Sequence, residues 1–225
     1  MNGILLVDKP EGWTSHDVVA KVRSILRQQT GQKVKVGHTG TLDPMATGLL
    51  ILVLGSYTKR AEEYSKLDKV YEAEVTLGRT STTGDREGQL TKINDKQPEK
   101  MAVEAVLGQF KGEILQKPHK YSAVKIGGQR AYKAARAGKT VEIEPRKVKI
   151  YKITDVEYDY PKLKFTAEVS SGTYIRSLAE DIGAALGTGA YLSALRRTQV
   201  GEFPTDKAVQ LANLDYEIIL KHLAN

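Results

Sequence analysis

The chain has 225 residues, of which 40% are hydrophobic, and this is enough to bury one sizeable core. Its 34 lysines and arginines exceed its 27 aspartates and glutamates, and the net charge of +7 favours a nucleic-acid partner over ordinary surface charge. The absence of cysteine excludes disulfides, thiolate metal sites and a cysteine nucleophile, and with only four histidines the chemistry falls mainly to carboxylates, hydroxyls or amines.

The first quarter of the chain predicts a strand, a helix and a second strand separated by an irregular loop. Residues 4–7 form an apolar run that enters a turn at residues 8–12. Ser15 is positioned to cap the helix that follows, whose apolar stripe consists of Val18, Val19, Val22, Ile25 and Leu26. Residues 34–48 contain glycine and proline and show neither helical nor strand periodicity, whereas residues 49–54 predict an apolar strand.

The middle of the chain predicts strands, one helix and a basic arm. Tyr71 faces inward in an alternating strand at residues 70–77, with Ala73, Val75 and Leu77 on its face and Glu72, Glu74 and Thr76 opposite. A polar loop is predicted at residues 78–88, a helix at 99–110, and a strand at 121–126 before a turn at Gly127 and Gly128. Residues 121–145 are rich in Lys, Arg, Gly and Tyr, which suggests a mobile basic arm.

The last third predicts a pair of strands and a helix. The strands occupy residues 146–170 and are interrupted near Tyr160 and Pro161. The helix has an apolar stripe that includes Ile175, Leu178 and Ile182, and Gly187 should end it. Because strands and helices do not alternate regularly, we expect an α+β fold with a mixed, largely antiparallel sheet flanked by helices and loops. No secretion signal and no membrane-spanning segment of about 18 apolar residues is evident, so we expect a cytoplasmic protein.

Asp43 is the leading candidate for a catalytic group. It lies in the loop at residues 34–48, is followed by Pro44, and has His38, Thr39 and Thr41 nearby to supply hydrogen bonds. A plain Asp-Pro turn is the alternative interpretation.

Arg176 is unusual because it falls in the first turn of its predicted helix, where a cation opposes the helix dipole. A buried or partly buried carboxylate would compensate it through charge-assisted hydrogen bonds. A guanidinium that bends into solvent or binds phosphate is the alternative.

Aromatic and basic residues suggest RNA contacts. Tyr71 and Tyr174 are either core residues or stacking surfaces for an extruded base. Plausible phosphate contacts are Lys59, Arg60, Lys117, Lys120, Lys125, Arg130, Lys133, Arg136, Lys139, Arg146, Lys147, Arg196 and Arg197. The sequence contains no Walker loop, dinucleotide fingerprint, HExxH motif or nucleophile elbow, and its four histidines lack paired ligand spacing, so we expect no metal.

Distinctive segments occur in order along the chain: residues 3–10 with Gly12 and Ser15, 37–48 (GHTGTLDPMATG), 69–71, 121–125, 172–176 and 195–197. Together these segments closely resemble the bacterial tRNA pseudouridine synthase B family. The resemblance implies isomerisation of uridine 55 in the TΨC loop of tRNA, without cofactor or metal. It also implies a pseudouridine synthase fold, formed by one catalytic domain over residues 1–225 with a basic arm at about 118–146.

The resemblance also assigns roles to residues. Asp43 would be the catalytic carboxylate, Tyr71 would stack on the target base and assist proton transfer, and Arg176 would pair with Asp43. Tyr174 and Leu195 would line the nucleotide pocket, while His38 would fill space near the flipped bases. Apart from the resemblance, Lys59 and Lys125 are expected to bind the substrate RNA as two of the phosphate contacts named above.

Two departures from the family pattern qualify this prediction. The chain ends at Asn225, so we expect no C-terminal RNA-binding domain of the PUA type, and residues 117–120 have one proline where the family often has two. The expected lack of that domain argues against the related guide-dependent subfamily, so we expect no guide RNA. We also expect a monomer and no membrane partner. The alternatives are a catalytically weak RNA-binding or RNA-folding factor on the same scaffold, or the same isomerisation on a different RNA.

Overall fold

The structure is a computed structural model that describes residues 1–119, 125–126, 129–130 and 143–224. Its helices are α1 (Ser15–Thr30), α2 (Ala61–Ser65), α3 (Lys100–Gln109), α4 (Ile175–Leu186) and α5 (Tyr216–His222). Its strands are β1 (Gly3–Lys9), β2 (Val36–His38), β3 (Thr47–Leu54), β4 (Lys69–Leu77), β5 (Arg79–Ser81), β6 (Leu90–Lys92), β7 (Gly112–Gln116), β8 (Lys125–Ile126), β9 (Gln129–Arg130), β10 (Arg146–Asp159), β11 (Lys162–Val169), β12 (Ala190–Val200), β13 (Phe203–Pro204) and β14 (Val209–Gln210). This mixture confirms the α+β class.

The chain divides into two compact units. The first consists of Met1–Tyr71 with Leu195–Asn225, and the second of Glu72–Ala194. In the described part of the chain, no helix is both long and apolar enough to cross a membrane.

In the first unit, β3 is the central strand. It pairs antiparallel with β1, from Gly3 opposite Leu54 to Lys9 opposite Gly48, and parallel with the end of β12. Leu50, Leu52 and Leu54 pack in one core cluster with the apolar face of α1, and Leu49, Ile51 and Val53 pack in another. Because both faces of β3 are buried, its sequence is a continuous apolar run rather than an alternation.

The N-terminal cap of α1 differs from the prediction. Thr14, not Ser15, is the capping residue, and it forms a capping box with Asp17 in which each side chain bonds the other residue's backbone N–H. The hydrogen bonds from Thr14 lower the pKa of the Asp17 carboxyl. Ser15 is the first residue of the helix and is buried, so its hydroxyl is not the capping group.

The second unit has the strand order β12-β4-β11-β10-β7. The pairing of β10 with β11 is antiparallel, and the two strands meet around Tyr160 and Pro161 as predicted. In β4 the buried residues include Ala73, Val75 and Leu77, which confirms the alternation, but Thr76 is also buried at 7% exposure.

Two predicted loops contain short strands. Residues 34–48 contain β2, which pairs antiparallel with β3, and residues 78–88 contain β5, which pairs antiparallel with β6. Strands of three residues are too short to show periodicity in the sequence, so they are identified only by their pairing in the structure. In the predicted arm, β8 and β9 pair antiparallel, while residues 120–124, 127–128 and 131–142 lie outside the described residues.

Candidate active site

Asp43 lies in the connection between β2 and β3 in the first unit. Asp43 is half-buried, and its backbone carbonyl oxygen accepts a hydrogen bond from the N–H of Ala46 at 3.0 Å. An Asp-Pro turn is therefore present, but the turn also presents a carboxylate from a loop on a rigid scaffold. Gly48, where the loop enters β3, has a φ of 101° and no room for a side chain, because a Cβ would come within 2.2 Å of the Arg197 carbonyl oxygen.

The loop is held on one side by the end of β1. The ammonium of Lys9 is on a fully buried side chain and donates to the carbonyl oxygens of Pro10 at 2.9 Å, Trp13 at 2.7 Å and Pro44 at 3.3 Å. The N–H of Gly12 also donates to the Pro44 carbonyl oxygen, at 2.9 Å. The residue that follows Asp43 is thus fixed by groups more than thirty residues earlier in the chain.

Ser15 holds the loop from the other side of Asp43. Its hydroxyl accepts a hydrogen bond from the Leu42 N–H at 2.8 Å and donates to the Leu42 carbonyl oxygen at 3.2 Å. The buried Ser15 hydroxyl therefore bonds the loop instead of capping α1.

Arg197 is not a phosphate contact, which corrects the sequence prediction. It is 2% exposed, and its guanidinium donates to the carbonyl oxygens of Leu49 at 2.7 Å and Gly40 at 3.1 Å. Arg196 is more exposed but forms a two-point ion pair with Asp8, at 2.8 and 3.1 Å. The sequence could not distinguish these arginines from surface cations because burial and partners depend on distant strands.

Tyr71 lies near the start of β4, in the part of the strand that belongs to the first unit. It is 8% exposed and so faces inward as predicted. Two residues earlier, Lys69 is 6% exposed, and its ammonium donates to the carbonyl oxygens of Ser65 and Leu67. Burial, together with the nearby Arg197, lowers the pKa of Lys69 to about 8.

Lys69 should make stability depend on pH. A lysine with a pKa of about 8 when folded and its ordinary 10.5 when unfolded binds fewer protons in the folded state between these values. The free energy of unfolding should therefore rise with pH in that window, by about 2 kcal/mol from pH 7.5 to 9.5 relative to a Lys69→Met variant. Parallel denaturant titrations of the two proteins measure this difference, and a constant difference across the window would contradict the assigned pKa.

In the second unit, Arg176 has a buried carboxylate partner, as its position in the first turn of α4 predicts. Its guanidinium nitrogen Nη1 lies 3.3 Å from Oδ2 of Asp85 and donates to the Thr83 carbonyl oxygen at 3.2 Å. The other oxygen of Asp85 accepts from the Thr83 hydroxyl at 2.5 Å and from the Glu87 N–H at 3.1 Å. The pairing of Arg176 with Asp43 stays a prediction from the resemblance.

Asp85 was not identified from the sequence, because an aspartate in a Thr-Gly-Asp segment has the composition of an ordinary turn. Its loop is fixed to β12 by two hydrogen bonds. The N–H of Leu192 donates to the Gly84 carbonyl oxygen at 3.0 Å, and the N–H of Arg86 donates to the Leu192 carbonyl oxygen at 3.1 Å. Asp85 and Arg176 are 2% and 7% exposed, so this ion pair is shielded from water.

Asp85→Asn should destabilise the second unit. Removing one partner of a buried ion pair leaves the other charge uncompensated, which costs about 3–5 kcal/mol. We expect a loss at the lower end, because the amide oxygen still accepts one hydrogen bond. Thermal unfolding of the variant beside exposed Asp95→Asn measures the effect, and equal stability of the two variants would show that Arg176 does not depend on Asp85.

Tyr174 is fixed through its main chain by a second residue that the sequence did not reveal. Gln116, which is 1% exposed, accepts from the Tyr174 N–H at 2.7 Å and donates to its carbonyl oxygen at 3.1 Å. The Tyr174 ring is half-buried at the start of α4. A glutamine at the end of a strand carries no signal of such a long-range contact.

The remaining predicted binding residues differ in what the structure describes. In the first unit, His38 and Leu195 are partly buried, and Lys59 is exposed on the 3₁₀ turn Gly55–Arg60. The side chain of Lys125 and most of the predicted arm at 118–146 lie outside the described residues. Among the described residues, no group of three His, Asp or Glu side chains is arranged to hold a metal ion.

Comparison with known proteins places these residues in a family. A sequence profile described as TruB family pseudouridylate synthase, N-terminal domain, matches residues 23–175. A second profile, described as tRNA pseudouridylate synthase B C-terminal domain, matches residues 176–222.

Relatives named tRNA pseudouridine synthase B match most of the chain. The protein from Cupriavidus metallidurans is 47% identical over 96% of this chain and 68% of its own length. Those from Solibacter usitatus and Thermobifida fusca are each 44% identical, over 96% and 99% of this chain and 72% and 78% of their own lengths.

Solved structures resemble the fold. A chain of a Cbf5-Nop10-Gar1 complex is 33% identical with a TM-score of 0.73, over 97% of this chain and 55% of that chain. A chain of an H/ACA RNP bound to a substrate RNA containing 2′-deoxyuridine is 31% identical with a TM-score of 0.71, over 97% and 54%. This chain spans about half the length of those solved chains.

Proposed function

We propose, from the premise that this chain belongs to the TruB family of pseudouridylate synthases, that it isomerises uridine 55 in the TΨC loop of tRNA with Asp43 as the catalytic carboxylate. The observation that carries the proposal is the complete GHTGTLDP segment, held as a half-buried loop by Lys9, Ser15 and Arg197. A binding module has no need of a carboxylate fixed in this way.

The reaction is internal to one nucleotide. The bond between N1 of uracil and C1′ of the ribose breaks, the base rotates, and a new bond joins C5 to C1′. The proton lost from C5 is balanced by a proton gained at N1, so no oxidant, reductant or transferred group is required. Asp43 begins the process by attacking C6 or C1′, or by acting as a base that forms a glycal.

The target base must leave the helical stack before Asp43 can reach it. Extrusion costs a few kcal/mol, which binding of the extruded nucleotide has to recover. We assign Tyr71 to stack on the base and assist proton transfer, and Tyr174 and Leu195 to line the nucleotide pocket. His38 would fill the vacated space, while Lys59 and Lys125 would bind RNA phosphates.

Arg176 is assigned to keep Asp43 ionised, since a neighbouring guanidinium lowers the pKa of a carboxyl. The contact of Arg176 with Asp85 supports this role indirectly, because it fixes the guanidinium in one buried position. The partner we propose is the TΨC stem-loop of tRNA in the cytoplasm, bound by a monomer without guide RNA.

The test is conversion of an unmodified tRNA transcript by the purified protein alone. Site-resolved pseudouridine mapping should find one new pseudouridine, at position 55, and none in a transcript with cytidine at that position. Binding without conversion would favour the RNA-binding or RNA-folding factor, and conversion at another site or only in another RNA would favour a different substrate.

A further inference from the structure

Ser15 forms a hydrogen bond with the Leu42–Asp43 peptide group, which precedes the Asp43 side chain in the backbone. The carbonyl oxygen of Leu42 belongs to the same planar unit as the N–H and Cα of Asp43, so holding that oxygen holds the Cα from which the Asp43 side chain extends. The Ser15 hydroxyl donates to this oxygen at 3.2 Å and accepts from the Leu42 N–H at 2.8 Å. One hydroxyl can form both bonds because it has one proton and two lone pairs.

Among the described residues, the hydroxyl bonds Leu42 and is not used to cap the helix. The helix start is capped by Thr14 and Asp17, which form a complete capping box. Ser15 is 2% exposed, so its hydroxyl cannot contact an RNA substrate directly. Its two bonds reach Leu42, 27 residues later in the chain, rather than the helix itself.

The other side of Asp43 is held by different groups. The Pro44 carbonyl oxygen receives the Gly12 N–H at 2.9 Å and the Lys9 ammonium at 3.3 Å, and the Pro44 ring restricts its own backbone. The Asp43 carbonyl oxygen accepts from Ala46. In the described part of the chain, a side-chain hydroxyl holds the Leu42 side and other groups hold the Pro44 side, so a substitution of Ser15 can release one flank of Asp43 and leave the other in place.

From these contacts we infer that Ser15 is a positioning residue for the reaction, acting through the Leu42–Asp43 peptide; the inference rests on the proposed function. Without the hydroxyl, the N–H of the Thr41–Leu42 peptide and the carbonyl oxygen of the Leu42–Asp43 peptide lose this partner, and the two peptides must rotate or admit water to recover hydrogen bonds. A displacement of about 1 Å at a catalytic group can cost about 100-fold in rate. Ser15→Ala should therefore lower kcat by about 10- to 100-fold and leave KM for tRNA within about twofold, because the hydroxyl does not touch RNA.

The matched control is Thr14→Ala, which removes the cap of the same helix one residue earlier. It destabilises α1 without touching the Leu42 contact. A merely structural role for Ser15 predicts that two variants with similar loss of Tm lose similar activity. Ser15→Cys is the second variant, because it keeps an atom at the Oγ position but bonds weakly, and it should show a rate between those of wild type and Ser15→Ala.

The experiment measures single-turnover rate, kcat, KM and Tm for wild type and the three variants on one unmodified tRNA transcript. The inference requires a lower rate in Ser15→Ala, an intermediate rate in Ser15→Cys, and a rate within about twofold of wild type in Thr14→Ala. A Ser15→Ala rate within twofold of wild type, or an equal loss in Thr14→Ala at equal Tm, overturns it. If Ser15→Ala does not fold, Ser15→Cys decides by the same criterion. An inactive wild-type protein would instead reject the proposed function.

Discussion

Asp43→Asn should lower the single-turnover rate of pseudouridine formation by at least about 10⁴-fold, as loss of a residue that bonds to or deprotonates the reacting atoms does elsewhere. The amide has nearly the size and shape of the carboxylate, so the turn closed by Ala46 should persist. What it lacks is the negative charge, and an amide is neither a nucleophile nor a base. The rate is measured by pseudouridine mapping with enzyme in excess over tRNA.

Binding distinguishes loss of chemistry from loss of fold in this variant. The substitution removes one negative charge from a chain whose net charge is +7, so affinity for tRNA should be unchanged or slightly greater. Exposed Asp206→Asn changes the total charge equally and is the matched control, with a wild-type rate expected. Wild-type turnover by Asp43→Asn would remove Asp43 from the mechanism.

Arg176→Lys should lower the rate by at least about 100-fold, the usual cost of removing one preorganised electrostatic group from an active site. The ammonium keeps the charge but cannot form the fixed, planar arrangement of donors that a guanidinium provides. In this chain the guanidinium also donates to the Thr83 carbonyl oxygen and pairs with Asp85. The single ammonium of a lysine cannot bond the Thr83 carbonyl oxygen, Asp85 and a further carboxylate in the same geometry.

The pH dependence of the rate tests whether Arg176→Lys loses activity because Asp43 becomes protonated. If Arg176 lowers the pKa of Asp43, the acidic limb of the pH–rate profile should move to higher pH in Arg176→Lys, because the carboxylate protonates more easily. Lys96→Met, which removes an ammonium that bonds the Leu186 carbonyl oxygen at the other end of α4, is the control. An Arg176→Lys enzyme with a wild-type rate and profile would show that the guanidinium is not needed.

Local sequence rules predicted several of the longer elements but missed others, among them the strand β12. The stripe of α1, the alternation of β4 and the glycine that ends α4 are each decided by neighbours within a few residues, and all three were found. The cap of α1 was placed one residue late, because Thr14 and Ser15 are both good capping residues. Only the position of Asp17, three residues after Thr14, distinguishes them.

The site was predicted less completely because its supports are long-range contacts. Asp43 and Arg176 stood out by composition and position, whereas Asp85 looked like an ordinary residue of a polar loop and no element was predicted at Gln116. Arg197 was misjudged as a surface cation, although it reaches the Gly40 carbonyl oxygen 157 residues away. Hydrogen bonds between distant segments leave no period in the sequence, so only the fold could reveal them.

The most direct test of the central claim is pseudouridine mapping of total RNA from a bacterial strain that lacks pseudouridine 55 and expresses either wild-type protein or Asp43→Asn. Wild type should restore pseudouridine at position 55 of tRNA and at no unrelated RNA site, and Asp43→Asn at equal abundance should restore none. Restoration by Asp43→Asn, or no restoration by folded wild-type protein, would contradict the assignment of this chain as a tRNA uridine-55 isomerase that acts through Asp43.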